Sequence, residues 1–298
     1  MQVPFVDLTA QYATIKEEIN AAIAGIINHA SFVGGAPLRD FESAFAQYLG
    51  LAHCVGCGNG TDSMEIILEA LGVGEGDEVI VPANSWFSTS EVVSRVGATP
   101  VFADIEPDYY TISVSDVEAK ITSRTKAVIP VHLYGQAADM TALMPLAKAH
   151  KLYVIEDCAQ AHLAAINGQY VGTFGTAASF SFYPGKNLGA YGDAGCMLTN
   201  DEDLAQKLRM IANHGQQGKH NLLMEGRNSR LDSLQAAILH TKLPHLQKWT
   251  EQRIAHAAAY TQLLSDRSEL ITPPTKAGYQ HVFHLYVVRV TRRDAMMQ

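Results

Sequence analysis

The chain has 298 residues, 47% of them hydrophobic and 17% charged, enough for one large domain with a sizeable core and a smaller one beside it. Its formal net charge is −8 and it has no Lys/Arg-rich block, which argues against nucleic acid or an anionic membrane as the main partner. Residues 1–7 carry neither a basic n-region nor a long apolar run, so no signal peptide or membrane span is read there, and Cys54, Cys57, Cys158 and Cys196 suit a reducing cytoplasm better than a disulfide framework.

The first periodic segment carries Ile15, Ile19, Ile23 and Ile26/Ile27 and reads as a helix ending near Gly34-Gly35. Cys54-Val55-Gly56-Cys57 has CxxC spacing. With no second pair and no His pair at ligand spacing it is not a zinc site, and it reads either as a redox pair or as two small buried thiols. Gly58-Asn59-Gly60-Thr61-Asp62 opens a helix over 63–71. Its glycines admit an anion, the helix N-terminus offers free N–H groups and Thr61 adds a hydroxyl, so it reads as a phosphate cradle or as an ordinary turn and N-cap. A strand over 78–81 leads to Trp86, whose flat ring either covers a planar ligand or joins the core. A helix over 89–96, strands over 100–103 and 127–131, and a helix over 140–150 follow.

The next strand, over 152–155, ends in Glu156-Asp157. A carboxylate just beyond a buried strand needs a partner: it caps the next turn or holds a proton on a heterocyclic nitrogen. A strand over 178–182 alternates Ser and Phe and enters a loop, Tyr183 to Gly195, whose one cation is Lys186. Desolvated there, its amine becomes a nucleophile able to form a Schiff base with an aldehyde; the other reading is a snorkelling surface lysine. A strand over 196–199, helices over 204–212, 231–243 and 246–264, Pro273-Pro274 and a strand over 284–290 complete the chain. The alternation predicts an α/β fold with a mostly parallel sheet covered by helices. Residues 1–245 form the large domain, with about 1–14 packing on the small one that begins in 246–298. Cradle, ring-nitrogen carboxylate, stacking ring and Schiff-base lysine together are what pyridoxal 5'-phosphate requires; no metal site is read.

Val6-Asp7-Leu8, Gly58-Asn59-Gly60-Thr61-Asp62, Gly97-Ala98-Thr99-Pro100-Val101, Arg124 to His132, Glu156-Asp157-Cys158-Ala159-Gln160, the lysine loop and Asn228 to Ala237 occur in this order. Over nearly the whole chain they resemble the DegT/DnrJ/EryC1/StrS family of sugar aminotransferases. The resemblance implies the fold type I architecture of pyridoxal-phosphate transferases. It implies that Lys186 forms the internal aldimine and that Asp157 keeps the pyridinium nitrogen protonated. Gln160 would bond the phenolic oxygen, Trp86 would stack on the ring, and Gly60, Thr61 and Ser181 would hold the phosphate. Asn228, which alone would read as an N-cap for the helix near Leu231, would reach the phosphate of the neighbouring subunit in a homodimer with shared sites.

The resemblance further implies an amino group moved from glutamate to a keto carbon of a dTDP- or UDP-linked keto-deoxysugar, Lys186 shifting the proton from Cα to the cofactor C4′. His214, Lys219 and His220 fall in the segment that approaches the sugar nucleotide; Lys219 faces a diphosphate or stays solvated. Relatives with histidine at the lysine position are dehydratases, and Lys186 argues against that. Ala194 and Leu163 stand where glycine is common. Elements that follow a strand like 284–290 in the family are missing, so a shortened chain with an incomplete small domain is expected. The alternatives are a non-catalytic, regulatory relative that binds the cofactor, and another pyridoxal-phosphate enzyme such as a lyase. The Lys186–Asp157–Gln160 set argues against the first and the Asn-Ser-Arg-Leu-Asp pattern against the second.

Overall fold

The computed structural model describes residues 3–218 and 220–297. Its strands are β1 (His53–Cys57), β2 (Glu78–Pro82), β3 (Thr99–Ala103), β4 (Thr125–Val128), β5 (Tyr153–Asp157), β6 (Ala165–Ile166), β7 (Gln169–Tyr170), β8 (Ala177–Ser181), β9 (Gly195–Thr199), β10 (Leu270–Ile271), β11 (Tyr279–Gln280) and β12 (Arg289–Val290). Its helices are α1 (Leu8–Thr14), α2 (Lys16–Asn28), α3 (Ala36–Leu49), α4 (Gly60–Ala70), α5 (Ser88–Arg95), α6 (Val114–Lys120), α7 (Met140–His150), α8 (Glu202–Ala212), α9 (Ser233–Lys242), α10 (Leu246–Leu263) and α11 (Arg293–Met296). Seven strands form the central sheet in the order β1-β9-β8-β5-β4-β2-β3. All neighbours are parallel except β9, which runs antiparallel to β1 and β8.

The strands read as continuous apolar runs because both faces of the sheet are covered. Successive side chains enter opposite cores. Ile80, Val128, Val154, Phe180 and Leu198 join one cluster, while Val79, Val81, Ala127, Ile155 and Met197 join the other. The same rule settles the CxxC stretch. Cys54 and Cys57 lie three residues apart on β1 and enter different clusters. They are buried free thiols on opposite faces, and burial pushes the Cys57 thiol up. The Ser/Phe alternation of β8 has the same origin: Phe180 and Phe182 pack against Phe45, while Ser179 turns to the opposite face, where its hydroxyl donates to the Gly60 carbonyl at 3.2 Å.

The C-terminal part departs from expectation. The strand expected over 284–290 is reduced to β12, which pairs with β10. Residues 282–285 instead bind the 3-10 turn Leu133–Gly135: Val282 N–H donates to the Gly135 carbonyl at 3.0 Å and Leu285 N–H to the Tyr134 carbonyl at 3.3 Å. Backbone groups used there cannot join a ladder. At residues 242–246, α9, a 3-10 turn over Leu243–His245 and α10 follow without a break. Among the described residues no helix is long and apolar enough to cross a membrane.

Candidate active site

The carboxyl ends of the parallel strands carry the candidate residues, where open α/β sheets bind ligands. Asn59 caps α4 by accepting the Asp62 N–H at 2.8 Å. A Cβ on Gly60 would lie 2.7 Å from the Ser181 Cβ, so only glycine lets the start of α4 approach the end of β8 this closely. The Thr61 and Ser88 hydroxyls meet at 2.9 Å. Gly60, Thr61 and Ser181 therefore converge at a helix N-terminus, an arrangement suited to an anion.

Asp157 is buried at the end of β5. Its Oδ1 accepts the Ala159 N–H at 3.0 Å and its Oδ2 accepts the Thr89 hydroxyl at 3.4 Å. The Ser85 hydroxyl, 2.7 Å from that of Thr89, is then the donor of its pair. Burial pushes the Asp157 carboxyl above its ordinary value, opposed by these bonds and by Lys186 and His132. Lys186 is half-buried; burial pulls its ammonium down, and Asp157 opposes that. Among the described residues neither forms an ion pair. Two desolvated groups of opposite charge type, felt by each other but in no direct ion pair, form a site prepared for a group that supplies what both lack. Gln160 Oε1 accepts the Tyr134 N–H at 2.7 Å, which leaves its amide N–H groups to donate. Trp86 is 73% exposed, so it is not a core residue; it sits in the turn that delivers Ser85 and Thr89.

Asn228 is exposed and bridges Asn213. It is not a cap: α9 has Asp232 at its N-cap. His214 and His220 are exposed at positive φ, 57° and 65°, and among the described residues neither side chain bonds to Lys186, Asp157 or the cradle; Lys219 lies outside the described residues. The sequence reading missed three contributors. Ser88 and Thr89, at the start of α5, touch the cradle and Asp157. Ser229 accepts the Gly58 N–H at 3.0 Å and donates to Asp62 at 2.6 Å, tying the Asn228 segment to the cradle. Its signal was available, since it follows Asn228 in the quoted motif.

His132, Glu156 and Cys158 bring three ligand-type atoms within 4.8 Å of one another. The His132 ring is fully engaged: Nδ1 accepts the Ala138 N–H at 3.0 Å and Nε2 donates to Glu156 at 3.1 Å. Glu156 also accepts the N–H groups of Gly172, Phe174 and Gly175. No ring lone pair remains for a metal; the cluster fastens the loop over 172–175 to the sheet.

The profile of the DegT/DnrJ/EryC1/StrS aminotransferase family matches residues 13–298. The chain belongs to this family. It is 49% identical, over 99% of its length and 80% of the relative's, to a protein of Geobacillus stearothermophilus named a pleiotropic regulatory protein. It is 47% identical, over 99% of its length and 79% of the relative's, to the UDP-N-acetyl-3-dehydro-alpha-D-glucosamine 3-aminotransferase of Acidithiobacillus ferrooxidans. Among solved structures, S. venezuelae DesV in complex with a ketimine intermediate superposes with a TM-score of 0.97 at 44% identity, covering 99% of this chain and 80% of that one. DegT/DnrJ/EryC1/StrS aminotransferases depend on pyridoxal phosphate. The residues present fit that cofactor: a helix N-terminus that Gly60 lets close against Ser181 for its phosphate, a buried carboxylate in no ion pair for its ring nitrogen and an amine in no ion pair for its aldehyde. Of the two positions where glycine is common in the family, Leu163 adopts φ 68°, the left-handed region that favours glycine. Ala194 has no such requirement and accepts the Phe182 N–H through its carbonyl at 2.8 Å.

Proposed function

We propose that this aminotransferase moves an amino group from glutamate to a keto carbon of a dTDP- or UDP-linked keto-deoxysugar, as a cytoplasmic homodimer with shared sites. The observation that carries the chemistry is the unpaired Lys186–Asp157 couple beside the Gly60 cradle; the sugar-nucleotide substrate is supported by the relative that acts on a UDP-linked sugar. When bound, pyridoxal phosphate supplies an electron sink for charge developing at the substrate carbon. Gly60, Thr61 and Ser181 hold its phosphate. Asp157, kept in place by Thr89 and the Ala159 N–H, holds the proton on the ring nitrogen, and that cation relieves the cost of burying the carboxylate. Gln160 donates to the phenolic oxygen, and Trp86 covers one ring face. Burial makes Lys186 easier to deprotonate, so its amine would tether the cofactor through the aldehyde with loss of water and, once the amine of glutamate has displaced it, would be free to take the Cα proton of glutamate. His214 and His220 would approach the nucleotide, a role also assigned to Lys219, which lies outside the described residues, and Asn228 would reach the partner's phosphate. Residues 1–245 form the cofactor-binding domain and 246–298 begin the smaller one.

The test is the visible absorbance of the chain with pyridoxal phosphate, before and after glutamate, beside Lys186→Ala. Wild type is expected to bind the cofactor in a borohydride-trappable form and to convert it with glutamate, while the variant does neither. A trappable form that ignores glutamate would sink the transaminase reading.

A further inference from the structure

Lys242 is a second buried lysine that the chemistry above does not use. It is the last residue of α9 and only 1% exposed. Its ammonium donates to the Gly189 carbonyl at 2.7 Å and stands 4.1 Å from the centre of the Tyr191 ring. No carboxylate pairs with it among the described residues, and burial alone lowers it to about 8. Burying an ammonium on one carbonyl and one aromatic face costs more than burying a methionine would. The position therefore carries a cost that packing alone does not explain.

Both groups it touches belong to the loop that bears Lys186. That loop is tightly turned. The Lys186 N–H donates to the Tyr183 carbonyl and the Ala190 N–H to the Phe182 carbonyl, each at 2.8 Å. A Cβ on Gly189 would collide with the Pro184 carbonyl. One helix face grips the loop twice: seven residues before Lys242, Gln235 Oε1 accepts the Tyr191 N–H at 2.8 Å, and residues i and i+7 share a face. The helix is itself anchored, with Ile238 packed against Ile15 and Ile19.

We propose that Gln235 and Lys242 are positioning residues that hold the loop so that the Lys186 amine meets the cofactor aldehyde. The inference rests on the cofactor reading above. It commits the ammonium to fixing backbone rather than to substrate, and displacement of a reacting group by about 1 Å can cost on the order of a hundredfold in rate.

The test compares wild type, Lys242→Met and Gln235→Met as full chains. Pyridoxal phosphate affinity is read by titration, the rate of borohydride-trappable attachment at Lys186 by peptide mass, and the melting temperature on the cofactor-free proteins. Both variants are expected to attach the cofactor on the order of tenfold more slowly or more weakly. Cofactor-free Lys242→Met should melt at or above wild type, since it loses a buried unpaired charge. Unchanged attachment in either folded variant would overturn the proposal. If Lys242→Met does not fold, Gln235→Met decides by the same reading. Failure of wild type to trap the cofactor would instead overturn the underlying cofactor reading, and the proposal with it.

Discussion

Asp157 shows at the scale of one residue how the site trades stability for chemistry. Its carboxyl is raised from 3.8 chiefly by burial, so in the cofactor-free protein the folded state holds the proton more tightly than the unfolded state does. Stability is then lost as pH rises from about 4 through the raised value, and the whole cost is present above it. Cofactor-free Asp157→Asn is expected to melt above wild type at pH 7, because it removes a buried charge whose cost is fully present there. The difference should vanish near pH 4. With the cofactor bound the order should reverse, because only the carboxylate pairs with a protonated ring nitrogen. Melting curves at both pH values, with and without pyridoxal phosphate, check this; a variant less stable than wild type in the free state at pH 7 would mean the carboxylate is better solvated than its burial implies. Lys186 and Asp157 were legible in the sequence because an isolated cation among glycines and an acid at a strand end are costly to place without a use. Thr89 and Ser88 were not. Hydroxyl residues at a helix start have an ordinary explanation as caps, and only the fold brings Thr89 to Asp157 and Ser88 to the cradle.

At the scale of elements, the strands in the sheet interior were readable because burial on both faces forces unbroken apolar runs. β1 escaped notice because His53-Cys54-Val55-Gly56-Cys57 mixes small and polar residues. Gly56 is required there by packing, since a Cβ would come within 2.8 Å of the Leu231 Cβ. α3 was missed although Gly35, Pro37 and Gly50 mark its ends. The two-residue strands of the C-terminal part have no periodicity to read, since pairing partners distant in sequence define them. The close approach of α4 to β8 makes the cradle testable as a joint between elements. Gly60→Ala must push Ser181 away, so pyridoxal phosphate affinity should fall by about tenfold or more while the fold survives, because each lost charge-assisted hydrogen bond to the phosphate is worth about 1.5–3 kcal/mol. Titration of the cofactor absorbance measures it, with far-UV circular dichroism confirming the fold. Affinity equal to wild type would place the phosphate elsewhere.

The whole molecule raises the question of what its exposed apolar residues cover. Trp86 and Phe87 are 73% and 71% exposed, and Leu222 and Leu223, near Asn228 in sequence, are 68% and 57% exposed. In the homodimer proposed above, a second copy meeting Phe87, Leu222 and Leu223 would withdraw them from water, while Trp86 is left to the cofactor ring. The shared-site reading has Asn228 of each chain reach the other's cradle across the two-fold. That arrangement has a consequence a single-chain site does not share. Lys186→Ala lacks the amine, and Asn228→Asp places a carboxylate where the phosphate is expected, so each alone should fail in the glutamate half-reaction at limiting cofactor. Unfolded together and refolded in equal amounts, half of the dimers should pair one chain of each kind. Each such dimer has one site with both defects and one with neither, so about a quarter of wild-type activity should return. Asn228 serving its own chain would return none, because every site would then keep one defect however the chains were mixed.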